Sequence, residues 1–152
     1  MKLKIPPPVL AVLLIFAMWG LTKVSGLTSV SVLTYIPSLI SWLLIGLALS
    51  IDIWALSSFR SAKTTINPMK PQNASQLVIA GIYKYTRNPM YLGLFIILTA
   101  FILWFGIFIN FLFLFVFVFY MNKFQIMPEE SALLELFGDD YAQYKSNVRR
   151  WI

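Results

Sequence analysis

The run Met90–Met121, MYLGLFIILTAFILWFGIFINFLFLFVFVFYM, decides the architecture of this chain. It carries no charged residue, is too long for one membrane span and is short for two ordinary ones. Gly106 and Asn110 fall near its middle, where a tight turn at Trp104–Asn110 would fold it into two short helices. Each arm then falls below the usual span length, so the hairpin must be short or tilted. A single kinked helix is the competing solution.

Composition agrees that the solvent is lipid. The chain has 152 residues, 59% of them hydrophobic and only 12% charged, about half the charged fraction of a soluble domain. So short a chain cannot hide that much apolar surface in a water-soluble core. Length fits one domain, residues 1–152. Neither cysteine nor histidine occurs, which removes disulfides, thiolate nucleophiles, imidazole bases and the commonest zinc ligands, and no metal site is expected. The net charge of +6 is explained by basic residues flanking spans, and no basic stripe points to nucleic acid.

Upstream of the hairpin, Lys2, Lys4 and Pro6-Pro7-Pro8 precede the apolar stretch Val9–Leu21. A basic start before a short apolar run also describes a signal peptide. No small-x-small cleavage pattern follows Gly20-Leu21-Thr22, so a first span reaching about Leu27 is expected. Thr28–Ile36 reads as an interfacial connection, and Pro37 can sit in the first turn of a second span, Pro37–Phe59. Asp52 lies inside it. A carboxylate in a span is costly and points to function, unless it pairs with Arg60 or Lys63 a turn or two away. The central segment from Arg60 to Thr86 holds Pro68, Pro71, Asn67 and Asn73 and should not be one helix; Leu77–Ala80 suits a short interfacial piece.

In the tail, Pro128 fits a helix start, with Glu129 and Glu130 in the first turn. Gly138 can end that helix, and Asp139 can cap another ending at Arg149-Arg150. The basic residues divide as two before span one, one after it, five in the central loop, none at the hairpin turn and four in the tail. With four spans, and with both termini and the central loop in the cytoplasm, eleven of twelve lie inside. The expected fold is therefore all-α and multi-pass, with about four transmembrane helices and a cytosolic C-terminal helical segment.

That topology puts a dense polar knot, Gly81–Gly93 (GIYKYTRNPMYLG), and the tail on one face of the membrane. Asn88-Pro89 reads as a capped helix start, leaving free backbone N–H groups beside Arg87 for an anion. The plainer alternative is that Arg87, Lys84 and the tyrosines anchor the span among headgroups. Glu129 and Glu130 are likewise dipole complements or a seat for an ammonium, a ribose diol or a sulfonium.

Arg87-Asn88-Pro89-Met90-Tyr91-Leu92-Gly93, an apolar hairpin, and then Glu129-Glu130 together resemble a paired motif. It is R-H-P-x-Y-x-G followed by E-E, found in the isoprenylcysteine carboxyl methyltransferase and phospholipid methyltransferase superfamily. The TTINP loop at Thr64–Pro68, the PEE-x-x-L-x-x-x-F-G-x-x-Y-x-x-Y tail and the terminal basic pair look like bacterial members, so the resemblance covers roughly residues 59–152. The resemblance implies an integral membrane methyltransferase that uses S-adenosylmethionine (SAM) at the cytosolic face of a bacterial cytoplasmic membrane and takes a lipophilic acceptor from the bilayer. On this sequence the cofactor positions are Arg87, Asn88, Pro89, Tyr91, Gly93, Glu129 and Glu130, with Arg87, Asn88 and Glu130 as the catalytic set. Tyr85 and Asp52 are the acceptor-side candidates. Arg87 would take the cofactor's carboxylate, a glutamate its ammonium or ribose, and Tyr91 or Tyr85 would face the sulfonium. Asn88 stands where the motif has histidine, and asparagine cannot accept a proton. A small non-enzymatic membrane protein, an assembly factor or channel component, is the alternative from a different class.

Overall fold

The computed structural model describes residues 5–24, 35–62 and 76–152, and within them the chain is helical with no strand. The ordered elements are α1 (Pro7–Val24), α2 (Tyr35–Ser61), α3 (Pro89–Phe105), α4 (Leu112–Tyr120) and α5 (Met127–Asn147). The expected end of span one at Leu27, most of the connection after it, Lys63 and the TTINP loop lie outside the described residues.

The Met90–Met121 run is a hairpin, as its length requires. α3 ends at Gly106, whose φ of 66° places it in the left-handed region, and its N–H closes on the Ile102 carbonyl. A single 3₁₀ turn, Phe108–Phe111, then leads into α4. Seventeen residues make α3 about 26 Å long, a little under the ~30 Å of a bilayer core. Beyond α4 the backbone does not stop. A π-helical stretch, Met121–Ile126, runs directly into α5, so the chain from Phe108 forms one rod up to a break at Gly138. Its apolar part ends near Ile126. α5 carries Glu129, Glu130, Glu135, Asp139, Asp140 and Lys145 and lies beyond the spanning portion.

Three helices, α1, α2 and the rod, are long and apolar enough to cross a membrane, and α3 is a shorter apolar one. α2 shows the solvent they face: Leu39, Trp42, Leu43 and Ile53 are each more than 60% exposed, which only lipid would tolerate along one helix. The inward faces pack on α3 from two sides. Leu10, Leu14 and Met18 of α1 meet Leu98 and Ile102 of α3 and Leu114 and Phe117 of α4 in one cluster. On the other side α2 presents small buried residues, Ser41, Ala48 and Ala55. The Ser41 hydroxyl donates to the Ala100 carbonyl at 2.9 Å, and Gly93 faces Asp52. Small residues at such contacts let backbones approach closely where lipid supplies no hydrophobic drive.

Leu77–Ile79 has no regular element and leads into a 3₁₀ segment at Gly81–Lys84. One local expectation changes. The tail helix does break at Gly138 (φ 52°, ψ −124°), but its second part ends at Asn147 and Val148 is extended. Arg149 and Arg150 therefore leave the helix as a strap rather than ending it.

Gly106→Val should destabilise the hairpin by about 1–2 kcal/mol, the cost of a side chain in the left-handed region. Thermal unfolding in detergent micelles reads this directly, and an unchanged midpoint would mean that α3 does not end there.

Candidate functional site

The polar residues that the sequence scatters over two motifs and the tail meet at one end of the bundle, where α3 begins and α5 leaves the apolar layer. Glu130 is the hub. Its side chain is 8% exposed and receives three cations. Arg150 grips both oxygens, Nε on Oε1 and Nη2 on Oε2, each at 2.9 Å. Arg87 Nη2 lies 3.1 Å from Oε1 and Lys145 Nζ 3.2 Å from Oε2. Burial opposes the charge on Glu130, but the hydrogen bonds from Arg150 and Lys145 and the charges of Arg87 and Arg150 outweigh it, holding the carboxyl below its usual range.

Arg87 is as buried as its partner, with 9% of its side chain exposed. Only Nη2 of its guanidinium is spent on Glu130. Nε and Nη1 are buried and have no hydrogen-bond partner. Unsatisfied charged donors in such a place are expensive, and they fit an anionic group that the ligand-free chain does not provide.

The neighbouring glutamate is separate. Glu129 Oε1 accepts from the Tyr91 hydroxyl and from Gln125 Nε2, both at 2.6 Å, and Gln125 also donates to the Tyr91 oxygen at 3.1 Å. Burial pushes the Glu129 carboxyl up to about 7, against the lowering pull of the Tyr91 and Gln125 hydrogen bonds. The π-helical stretch brings Gln125 and Asn122 to this end of the rod, and such bulges recur at functional sites.

Several expectations about the mouth of α3 are revised. Asn88 is at the N-cap position with Pro89 following, but its side chain makes no cap. It donates instead to the Arg150 carbonyl at 2.9 Å. The backbone N–H groups foreseen as free are largely engaged: Arg87 donates to the Arg149 carbonyl, Asn88 to the Thr86 hydroxyl, and Tyr91 to the Asn88 carbonyl. The free donors belong to the Arg87 side chain. Glu129 and Glu130 do not sit at an open helix end, because the rod continues into α5 with helical geometry at Ile126, so they are not dipole complements.

The acceptor-side candidates lie apart from this cluster. Tyr85 is 70% exposed and leans on Trp54, ring centroids 6.4 Å apart. Asp52 packs against Gly93, where an added Cβ would meet Oδ1 at 2.5 Å. That carboxylate oxygen is buried without a hydrogen-bond partner, and among the described residues neither Arg60 nor any other cation pairs with it. Gly93 thus accommodates a side chain of α2.

Residues missed by sequence reasoning are Gln125, Asn122, Lys145 and Thr86, and Arg150 beyond its place in a basic pair. Gln125 offered a signal, being four residues before Glu129 on the same helical face. The others had none, since their contacts join separate segments of the chain, Lys145 to Glu130 and both Asn122 and Thr86 to Arg150.

Parts of the chain are similar to known proteins. A family model described as phospholipid methyltransferase matches residues 36–140. An uncharacterized protein of Haemophilus influenzae is 46% identical over 63 residues, which is 41% of this chain and all of that protein. Protein-S-isoprenylcysteine O-methyltransferases of Schizosaccharomyces pombe and Saccharomyces cerevisiae are 36% and 34% identical over 72 and 87 residues. These matches cover 47% and 52% of this chain but only 30% and 33% of those two proteins. No solved structure gives a significant match.

The raised Glu129 carboxyl fixes a sign for stability against pH. Folding holds its proton to a higher pH than the unfolded chain does, so stability falls as pH rises from the ordinary value of 4.5 through about 7. Glu130, shifted the other way, acts below that window. The thermal midpoint should drop between about pH 5 and about pH 8, and Glu129→Gln should flatten the drop. Equal slopes for the two proteins would place the titration elsewhere.

Proposed function

The chain belongs to the phospholipid methyltransferase family and is a membrane methyltransferase, and from that premise we propose that the Arg87–Glu130 end of the bundle binds SAM for transfer of its methyl group to a lipophilic acceptor. The observation that carries the proposal is the guanidinium of Arg87, fixed by Glu130 through Nη2 with two buried donors, Nε and Nη1, unused. SAM presents a carboxylate that fits those donors. Its ammonium or ribose hydroxyls suit Glu129, of which Tyr91 and Gln125 occupy only Oε1. Glu130 is already matched by three cations and serves the cofactor through Arg87, so the role of cation acceptor passes to its neighbour. Family membership removes the non-enzymatic alternative.

When bound, SAM supplies an electrophilic methyl carbon on a sulfonium. The residues here bind and orient it; methyl transfer by in-line displacement depends mainly on such positioning and on a site that excludes water. Asn88 grips the strap and can neither take nor give a proton. An anionic acceptor, a carboxylate or thiolate, needs no base. A phospholipid amine needs one, and Asp52, an unpaired carboxylate against Gly93, is the acceptor-side group within the bundle. The placement of basic residues supports the reading that this end of the bundle, with both termini, faces the cytoplasm, in a bacterial cytoplasmic membrane as the motif resemblance implies.

Isothermal calorimetry with S-adenosylhomocysteine, the demethylated product, tests the reading. Arg87→Met should weaken binding about 10- to 100-fold, as expected for losing hydrogen bonds from a charged group. Absence of binding to the unaltered protein at about millimolar ligand would defeat the proposal. Asp52→Asn should raise the thermal midpoint, because a buried unpaired carboxylate is removed, while lowering methyl transfer to lipid extract. A midpoint that rises with transfer intact would leave Asp52 no catalytic part.

A further inference from the structure

The strap after α5, Val148–Trp151, is bonded across the site at several points. The Arg149 carbonyl accepts from the Arg87 N–H at 3.0 Å, and the Arg150 carbonyl from Asn88 Nδ2 at 2.9 Å. The Trp151 indole donates to Asn122 Oδ1 at 3.1 Å, and its ring leans on Phe95. These contacts deliver the Arg150 guanidinium to Glu130, where it occupies both carboxylate oxygens.

That occupancy has a consequence for Arg87. A lone arginine facing a lone carboxylate favours a two-toothed pairing that uses two of its nitrogens. Arg87 instead reaches Glu130 through Nη2 alone, while Nε and Nη1 remain unpartnered. We propose that Arg150 is a positioning residue for methyl transfer: by claiming both oxygens of Glu130 it keeps Arg87 from closing on the carboxylate through a second nitrogen and leaves its Nε and Nη1 donors for an anionic ligand group. The inference rests on the SAM reading for the identity of that group, but not for the competition between the two arginines. Lys145, 44% exposed and touching Oε2 alone, lacks the planar fork needed to substitute.

The competition predicts a rescue that a merely structural arginine would not show. Without Arg150, Glu130 captures Arg87 and S-adenosylhomocysteine affinity falls at least roughly tenfold by calorimetry. Removing the captor as well, in Arg150→Met with Glu130→Gln, should return affinity above that of Arg150→Met alone. Arg150→Lys, which keeps the charge and loses the fork, should weaken binding to a lesser degree, and it covers the case in which Arg150→Met fails to fold. Independently of any ligand, the ¹⁵Nε–¹Hε resonance of Arg87, assigned through Arg87→Lys, should move in Arg150→Met or Arg150→Lys and return when Glu130→Gln is added. An unmoved resonance, or a double variant binding no better than Arg150→Met, overturns the proposal. If the unaltered protein binds no S-adenosylhomocysteine while the resonance moves and returns, the SAM reading fails and the positioning role stands.

Discussion

A single buried carboxylate organises one end of this molecule. Glu130 would be costly where it lies without compensation, and the chain compensates it from three directions: the start of α3 through Arg87, the second part of α5 through Lys145, and the strap through Arg150. Each cation also fixes the segment that bears it. The break at Gly138 matters here, because it redirects α5 so that Lys145 and the strap can return to Glu130. Such a cluster is weak evidence for stability, since apolar replacements of buried ion pairs are often as stable. It is stronger evidence for specificity of arrangement, and what it arranges is a buried Arg87 with two donors unspent.

The second constraint is the close seam between α2 and α3. Ser41 against Ala100 at one end and Asp52 against Gly93 at the other define helices packed through small residues. Ser41 satisfies itself on a backbone carbonyl, as a hydroxyl in lipid should. Asp52 does not, since its buried oxygen has no partner. A chain built for stability alone would place an apolar residue there, and local rules are broken most often where function demands it. The same contrast separates Glu129 from Glu130. Adjacent in sequence, one is held charged by three cations and the other is bonded to a phenol and an amide, and burial raises its carboxyl toward neutrality.

Much of this was legible in advance because it depends on local chemistry or on the solvent. The hairpin follows from an uncharged run of a given length with Gly106 in it, and Pro89 marks where α3 starts. The motif pair brought Arg87, Tyr91 and Glu129-Glu130 forward together. Less legible was what each does. Asn88 has the composition and position of a cap, and a tertiary acceptor, the Arg150 carbonyl, outcompetes its own helix. Pro128 looks like a helix start, but proline is tolerated there because the preceding π stretch already alters the hydrogen-bond register.

The sequence by itself determined that lipid is the solvent, that the Met90–Met121 run folds back on itself, and that Arg87 and the acidic tail belong to one end of the bundle. Those outcomes follow from composition, length and the cost of burying charge in hydrocarbon, none of which needs a partner residue to be known. Tertiary structure alone decided how the charges are shared. Glu130 could have paired with Arg87 only, and Gly93 could have received a ligand in place of Asp52. Side chains 20 to 64 positions apart settle these choices, because a hydrogen bond or ion pair is awarded to whichever donor the fold brings within about 3 Å.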